Sequence, residues 1–364
     1  MRVALTAEQL WQPVPGGSGT YVVELGAALL ATGGAEVTGL AAAHRGPPAP
    51  DWQPAFPVRR SRLPRAALYE AWNRLGRPRA EDLAPDAEVV HAATWAVPPT
   101  ARPLVVTVHD LAFLQDPSHF TPRGNAFFRR SLARVRTEAA ALVVPSHATA
   151  AECVAAGIPG RDLHVIPHGA TVPEVHDADV AALRRQFGLE RPYVLWCGTL
   201  EPRKNVATLL RAFQEARLDD VDLVLIGPRG WGEQPGGVLP PTDGPGPGVR
   251  LLGPVDRRSL HAAYRGARAF CFPSLREGFG LPVLEAMTHG IPVVTSAGTA
   301  CAEVAGDAAL LADPLDARAF AAALREACGP SHADLAAAST RRATHFSWER
   351  SARQTAEVYA AVAG

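Results

Sequence analysis

Lysine is almost absent from this chain of 364 residues, which carries 36 lysine and arginine side chains but only one lysine, Lys204. Arginine fills every other basic position. The planar guanidinium of arginine and the compact ammonium of lysine are not interchangeable, because they differ in shape and in the number of donors. The single exception therefore makes Lys204 a candidate for a functional position that needs a point charge.

Long apolar runs, paired cysteines and an excess of charge are also missing. No uninterrupted apolar stretch is long enough to cross a bilayer, and MRVALTAEQLW indicates a first strand rather than a signal peptide. The five cysteines are scattered without a CxxC pair, which disfavours a disulfide framework and a structural zinc site. A formal net charge of +0 gives no general attraction for nucleic acid. We therefore expect a cytoplasmic protein that binds no nucleic acid.

Strand-like and helix-like segments alternate from end to end, as in YVLWCGT followed by NVATLLRAFQEARL. This rhythm predicts an α/β protein with parallel sheets built from βαβ units. The number of strands and a polar stretch after VIPHGA favour two doubly wound, Rossmann-like domains, at 1–170 and 171–345. A final helix at about 346–364 is a candidate to pack back on the first domain.

Two segments resist regular assignment. The stretch GPRGWGEQPGGVLPPTDGPGPG is predicted to be a loop, because glycine and proline interrupt helices and strands. The arginine-rich stretch VRRSRLPRAALYEAWNRLGRPR is either a solvated connection, which we favour, or a basic surface helix that contacts anionic lipid. The second interpretation would allow peripheral contact with the inner face of a membrane.

The segment SLREGFGLPVLEAM carries the most informative chemistry. Glu277 lies in the loop after a strand, where Gly278 and Gly280 let the backbone approach a ligand closely. Pro282 suits the first turn of the following helix, whose N-terminal amides suit a phosphate group. Glu285 lies on that helix, and a carboxylate that only accepts hydrogen bonds would pair with a diol such as a ribose.

Three further segments place polar residues at strand ends. GTLEPRKN puts Arg203 and Lys204 at the mouth of the second sheet, where two cations can hold a diphosphate. VTVHDL puts His109 at the end of a strand of the first domain, although a lone histidine there is more often structural. GGSGTYVVEL places a turn at Gly16 and Gly17, but its spacing is not that of a dinucleotide fingerprint.

Taken together and in this order, GGSGTYVVEL, VTVHDL, VIPHG, GTLEPRKN and EGFGLPVLE resemble the segments of the large retaining glycosyltransferase family with the GT-B fold. The resemblance covers nearly the whole chain and implies two Rossmann-like domains that face each other across a cleft. One position departs from the pattern, because Thr199 stands where many members carry an arginine. We expect Arg203 to share the role of that arginine.

The resemblance also implies a role for each candidate residue. Glu285 would hold the ribose of a nucleoside diphosphate sugar, and Arg203, Lys204 and the amides near Gly280 and Leu281 would hold its diphosphate. Glu277 and the backbone at Gly278 and Phe279 would meet the sugar. His109 would lie beside the transferred sugar, and it is, with Glu277, a candidate catalytic residue. Gly16 and Gly17 would approach from the opposite wall.

No acidic pair of the type that holds a divalent ion on a nucleotide sugar is identified, so we expect neither a metal nor another cofactor. Resemblance to mannose-transferring members makes GDP-mannose the first choice of donor, with UDP and dTDP sugars open. The acceptor is a glycan, a lipid-linked glycan or a small metabolite. Three alternatives stay open: a GT-B-fold nucleotide-sugar epimerase, a non-catalytic nucleotide-sugar-binding subunit, and a dinucleotide-dependent oxidoreductase, which the missing fingerprint disfavours.

Overall fold

The computed structural model describes residues 1–158, 162–230 and 248–364. The chain divides into two compact units, each with its own parallel sheet. Unit 1 comprises Met1–Gly169 and Phe346–Gly364, and unit 2 comprises Ala170–His345. Most of the predicted Gly/Pro-rich loop, at 227–248, lies outside the described residues.

Unit 1 is built on seven parallel strands in the order β3-β2-β1-β4-β5-β6-β7. The central strands are apolar and buried, as expected for a parallel sheet covered on both faces. The strands are β1 Arg2–Thr6, β2 Glu36–Ala41, β3 Val58–Arg60, β4 Val89–Ala92, β5 Leu104–Thr107, β6 Ala141–Val144 and β7 Leu163–Val165.

The helices of unit 1 include one from the far end of the chain. That last helix packs against the first helix, and its Tyr359 hydroxyl lies 2.5 Å from Nδ1 of the buried His91. The helices are α1 Gly16–Ala31, α2 Arg65–Arg74, α3 Ala80–Leu83, α4 Ala112–Gln115, α5 Pro122–Glu138, α6 His147–Ala155 and α14 Trp348–Ala363.

Unit 2 has six parallel strands in the order β10-β9-β8-β11-β12-β13. Its strands are β8 Tyr193–Cys197, β9 Asp222–Ile226, β10 Val249–Gly253, β11 Ala269–Phe272, β12 Val293–Ser296 and β13 Leu310–Ala312. Its helices are α7 Asp177–Phe187, α8 Val206–Ala216, α9 Arg257–Arg265, α10 Leu281–Thr288, α11 Ala300–Ala305, α12 Ala317–Cys328 and α13 His332–Ala343.

Local sequence signals explain several of these boundaries. Helix α9 begins after Asp256, whose side chain accepts a hydrogen bond from the Ser259 amide at 2.7 Å. Helix α7 ends at Gly188, which adopts φ +62°. Strand β8 is buried at all five positions, because it lies at the centre of its sheet between β9 and β11.

The strand order reverses once in each sheet, between β1 and β4 in unit 1 and between β8 and β11 in unit 2. The predicted α/β class with two doubly wound parallel sheets is therefore confirmed. In open α/β sheets, ligands bind beyond the carboxyl ends of the strands at such a reversal. The loops after these strands are thus the first places to look for a site.

Two sequence interpretations need correction. Gly16 and Gly17 do not form a turn ahead of the first helix but its first turn, since the Gly19 amide already donates to the Pro15 carbonyl at 3.1 Å. The arginine-rich stretch is not a simple connection, because it contains β3 and α2. Helix α2 forms there since Trp72 and its neighbours bury one face of the segment.

Candidate functional site

The reversal point of unit 2 brings two loops together. The loop after β8 passes through Gly198 to a 3-10 turn at Pro202–Lys204, and the loop after β11 carries Glu277. The two loops are hydrogen-bonded, because the Leu275 amide donates to the Arg203 carbonyl at 2.9 Å. Residues separated by about 70 positions in sequence therefore share one site.

Asn205 connects neighbouring loops through its side chain, although its backbone adopts an unfavourable conformation. It precedes α8 with φ +54°, a conformation that non-glycine residues rarely adopt. Its side chain does not cap the helix. It donates instead to the carbonyls of Pro273 at 3.0 Å and Pro314 at 2.6 Å. Asparagine tolerates the left-handed region better than most residues, so this position suits a residue that ties loops together.

Glu277 binds both cations of the neighbouring loop. Lys204 Nζ donates to Glu277 Oε1 at 2.6 Å, and Arg203 Nη1 donates to Glu277 Oε2 at 2.7 Å. Arg203 is also held by Glu201 Oε1, at 2.7 Å, and by the Arg276 carbonyl, at 2.9 Å. Two cations and two carboxylates thus form one balanced cluster.

The cluster is largely removed from solvent. The side chains of Lys204 and Glu277 are 11% and 9% exposed. The Lys204 ammonium also lies 4.9 Å from the centroid of the Phe272 ring, in cation–π geometry. A charge at this depth is tolerated only when it is paired and hydrogen-bonded, so Lys204 and Glu277 depend on each other.

The charge state of Glu277 follows from these contacts. Burial alone raises the pKa of its carboxyl, but the charges of Arg203 and Lys204 outweigh burial and lower the pKa from 4.5 to about 2. Glu277 is therefore an ionised hydrogen-bond acceptor at neutral pH. It is a weak proton acceptor, which argues for a binding role rather than general-base catalysis.

Glu285 lies one turn into α10 and contacts a residue from a different helix. The hydroxyl of Tyr264, on α9, donates to Glu285 Oε2 at 3.0 Å and lies 2.8 Å from Cys197 Sγ at the end of β8. Burial, together with the neighbouring Cys197 and Glu285, raises the pKa of Tyr264 well above its usual value. Tyr264 thus stays a neutral donor that orients the Glu285 carboxylate.

Gly280 shapes the start of α10. It precedes the helix with φ +102°, and a Cβ at this position would lie 2.8 Å from Cys301 Sγ. Leu281 and Pro282 then open the first turn. A glycine is required both by the backbone angle and by the close approach of α11.

In unit 1, His109 follows β5 and is held in one orientation. Its Nε2 lies 3.0 Å from the Ala93 carbonyl, which can only accept, so Nε2 carries the proton. Burial lowers the pKa of His109, although Asp110 and the Ala93 carbonyl oppose that effect. The ring is therefore neutral at pH 7, and its Nδ1 is left as the acceptor.

Three other residues of unit 1, Asp110, His168 and Gly16, have different surroundings. Asp110 Oδ1 accepts a hydrogen bond at 3.1 Å from the Ala112 amide, at the first residue of the short helix α4. His168 is buried and stacks on Trp348 with a centroid distance of 5.5 Å. Gly16 has φ +60°, and a Cβ there would meet no atom within 4 Å.

Acidic pairs and metal ligands give no sign of a metal centre in the described ranges. Asp177–Ala178–Asp179 is an Asp-x-Asp sequence, but its carboxylates pair with Arg265 at 2.9 Å and Arg258 at 2.8 Å. No group of three or more His, Cys, Asp or Glu side chains suited to a metal occurs among the described residues.

In the same residues, no helix is both long and apolar enough to span a membrane.

Sequence reasoning identified Arg203, Lys204 and Glu277, which the structure brings into contact, and it missed the residues that hold them. Asn205 was detectable, because it directly follows the only lysine. Tyr264 was not, since it precedes Glu285 by 21 positions and lies on another helix. Its contact depends on how α9 and α10 cover the sheet.

Two family models match the chain in succession. A model described as "Glycosyltransferase Family 4" matches residues 15–172, and one described as "Glycosyl transferases group 1" matches residues 191–329. The first match falls in unit 1 except for its last three residues, and the second falls in unit 2. The second contains Arg203, Lys204, Glu277 and Glu285.

Curated relatives and solved structures agree with these matches. O-antigen chain mannosyltransferase B of Escherichia coli is 32% identical over 281 residues, which cover 74% of each chain. Phosphatidyl-myo-inositol mannosyltransferase of Mycobacterium leprae is 34% identical over 219 residues, about half of each chain (56% of this one and 55% of the other). The Anabaena protein HepE, solved in complex with UDP-glucose, superposes with a TM-score of 0.74 at 19% identity, covering 99% of this chain and 100% of that one. The predicted GT-B fold is confirmed.

Proposed function

The chain belongs to the group 1 glycosyltransferases, and we propose that it transfers mannose from GDP-mannose to an acceptor hydroxyl with retention of anomeric configuration. The observation that carries the proposal is the buried contact of Arg203 and Lys204 with Glu277 at the reversal point of unit 2. It places two cations beside an ionised acceptor at the edge where α/β sheets bind nucleotides.

The two cations hold the diphosphate of the donor. When the bond between the anomeric carbon and the phosphate oxygen breaks, negative charge grows on the leaving diphosphate. Cations already fixed in position, together with the N-terminal end of α10, stabilise that charge without reorganising. This electrostatic role is the reason we propose transfer without a metal ion.

The two glutamates recognise different parts of the donor. Glu285, oriented by Tyr264 at 3.0 Å, accepts hydrogen bonds from the ribose hydroxyls. Glu277 and the backbone at Gly278 and Phe279 receive the hydroxyls of the sugar. Both carboxylates accept hydrogen bonds without giving up a proton, which suits diols and disfavours direct contact with phosphate.

Retention follows if the acceptor attacks from the face that the diphosphate leaves. The acceptor oxygen forms a bond to the anomeric carbon as the phosphate oxygen departs, and the acceptor proton passes to an oxygen of the leaving phosphate. His109 contributes a neutral ring whose Nδ1 can accept from a sugar hydroxyl. Gly16 and Gly17 at the start of α1 give the donor or acceptor room to approach.

The identity of the sugar rests on the relatives. Two of them are named mannosyltransferases, at 32% and 34% identity, which favours GDP-mannose. A UDP sugar is the second choice, because the Anabaena structure holds UDP-glucose, and a dTDP sugar stays open. We propose a glycan, a lipid-linked glycan or a small metabolite as acceptor. All five cysteines are free thiols, which suits a cytoplasmic location.

A thermal-shift titration with GDP, UDP, dTDP and NAD tests the donor site. A nucleoside diphosphate at 100 times its Kd should stabilise the fold by roughly 2.7 kcal/mol. Lys204→Ala should abolish that shift, whereas Arg185→Ala, which removes an exposed arginine of α7, should keep it. Equal shifts for wild type and Lys204→Ala would refute the phosphate role. Product analysis with GDP-mannose then separates transfer from binding alone.

A further inference from the structure

A basic cleft lies between α2 and α5 in unit 1, outside the residues assigned to the donor. It has a volume of about 510 Å³ and is lined by Glu70, Arg74, Arg123, Ala126 and Arg130. That volume is within the usual range for small-molecule sites, which is about 300–1,000 Å³. We call this feature the arginine cleft.

Three guanidinium groups in the arginine cleft share one carboxylate. Arg74 Nε lies 2.8 Å from Glu70 Oε2, whereas Arg123 Nη2 and Arg130 Nη2 lie 3.5 Å and 3.7 Å from Glu70 Oε1. The two longer distances exceed those of hydrogen bonds. Arg130 Nε is also buried without a hydrogen-bond partner among the described residues. Glu70 Oε2 is likewise buried without a hydrogen-bond partner among the described residues. The three guanidinium groups and Glu70 therefore do not satisfy one another fully, and donor capacity remains in the cleft.

Charge leads to the same conclusion. One carboxylate against three guanidinium groups leaves two positive charges in the cleft. Helices α2 and α5 together carry seven arginines and two glutamates, although the whole chain has a formal net charge of +0. Such a local surplus favours an anionic ligand. A phosphate group, with a charge of about −1.5 to −2 at pH 7, would neutralise it.

The arginine cleft lies on the reactive edge of unit 1. On α2, Leu68 and Trp72 pack against Ala42 and Ala96, which follow the carboxyl ends of β2 and β4. This is the edge of the sheet from which His109 extends after β5. The placement makes the cleft part of the ligand-binding edge rather than of the opposite, structural end.

A chain of aromatic contacts links α5 to the segment of His109. Phe128 of α5 stacks on Phe113 with centroids 5.2 Å apart, and Phe113 meets Trp95 edge-on, also at 5.2 Å. Trp95 Nε1 then donates to the Asp110 carbonyl at 3.3 Å. The helix that carries Arg123 and Arg130 is therefore fixed relative to the residue next to His109.

We infer that the arginine cleft binds a phosphate or diphosphate group of the acceptor, so that the acceptor of this enzyme is an anionic phosphate ester. The inference rests on the proposed function, in which the acceptor approaches the His109 side. Guanidinium groups bind phosphate by donating paired hydrogen bonds to its oxygens. Glu70 lies within ion-pair distance of all three guanidinium groups and so keeps them close together.

Pyrophosphate binding, measured calorimetrically with the donor site filled by saturating GDP, tests the inference. Wild type should bind inorganic pyrophosphate under these conditions. Arg123→Gln and Arg130→Gln should each weaken that binding at least tenfold and leave GDP binding unchanged. Arg185→Gln, on α7 of unit 2, is the matched control and should bind as wild type does. Unchanged folding is checked by the melting temperature of each variant.

The outcomes are separable. If GDP binds but pyrophosphate does not, the arginine cleft proposal is overturned and the donor proposal stands. If GDP itself fails to bind, the proposed function has failed first. If phosphatidylglycerol vesicles bind through Arg123 and Arg130 while pyrophosphate does not, the surplus charge serves a membrane surface, which also overturns the proposal.

A second arm distinguishes the two sources of an acceptor phosphate. Farnesyl diphosphate and glucose 1-phosphate are titrated under the same conditions, with the same variants. Tighter binding of farnesyl diphosphate than of pyrophosphate would identify a lipid-linked diphosphate. Preference for glucose 1-phosphate would identify a soluble phosphate ester. Binding of either that is insensitive to Arg123→Gln and Arg130→Gln would contradict the assignment.

Discussion

Replacing Glu277 by glutamine should change how the stability of the protein depends on pH. The substitution keeps the shape of the side chain but removes the charge that Arg203 and Lys204 hold at 2.7 Å and 2.6 Å. The buried Lys204 and the partly buried Arg203 then lose their shared partner. Breaking a buried ion pair from one side is strongly destabilising, because it leaves an uncompensated charge.

The magnitude follows from the lowered pKa of Glu277. Its carboxyl has a pKa of about 2 in the folded protein against an ordinary value of 4.5. At about 1.36 kcal/mol for each unit of pKa, the ionised form contributes about 3 kcal/mol to the free energy of unfolding. Because the folded pKa is the lower one, this contribution is complete above pH 4.5 and is lost as the pH falls towards 2.

Urea denaturation at pH 5, 4 and 3 measures the effect as the difference in unfolding free energy between wild type and Glu277→Gln. That difference should shrink by about 2 kcal/mol between pH 5 and pH 3. Glu190→Gln replaces an exposed carboxylate of the same unit and serves as the control. A difference that stays constant over this range would show that the cations do not hold Glu277 ionised in solution, and our account of the site would be wrong.

Two further substitutions separate positioning from packing. Tyr264→Phe removes the donor 3.0 Å from Glu285 and should weaken GDP binding about tenfold, since hydrogen bonds to charged groups contribute about 1.5–3 kcal/mol. Binding of 2′,3′-dideoxy-GDP, which lacks the ribose hydroxyls, should not change. An equal loss of affinity for both nucleotides would argue for general disruption of the site. Gly280→Ala should destabilise the fold by about 1–3 kcal/mol in urea denaturation. An additional Cys301→Ala should restore only the part of this loss that comes from overlap with the Cys301 sulfur, and not the part that comes from the backbone angle. Gly298→Ala, at φ +67° with open space around it, is the control; an equal cost at both glycines would contradict the predicted overlap with Cys301.

The fold was predictable because its signals are local. Each short apolar strand alternates with a helical segment, so the period of hydrophobic residues was sufficient to predict two parallel sheets. Gly16 and Gly17 were misplaced for a different reason. A glycine-rich sequence permits a turn but does not require one, and here the Gly19 amide donates to the Pro15 carbonyl, so that the helix already begins at Gly16.

The positions of the site residues were predictable only where those residues lie in loops directly after strands. Lys204 and Glu277 come from loops after β8 and β11, which the parallel topology makes neighbours. That Glu277 would bind Arg203 and Lys204 together was not predictable, because sequence does not give side-chain directions. The arginine cleft was hidden for the same reason: Glu70 and Arg123 meet only because α2 packs on α5.

Burial also explains why the one lysine stands at 204. Its ammonium fits between the Phe272 ring, at 4.9 Å, and Glu277 Oε1, at 2.6 Å, and a Cβ at Gly198 would already lie 3.7 Å from its Cε. Lys204 is only 9% exposed. An arginine at this position would bring five N–H donors into the same space, and donors without partners are costly to bury. Arg203 avoids that cost because its fork reaches Glu201, Glu277 and a backbone carbonyl. The two adjacent cations are therefore suited to different depths of one site, so a donor diphosphate would meet a rigid fork and a compact point charge together.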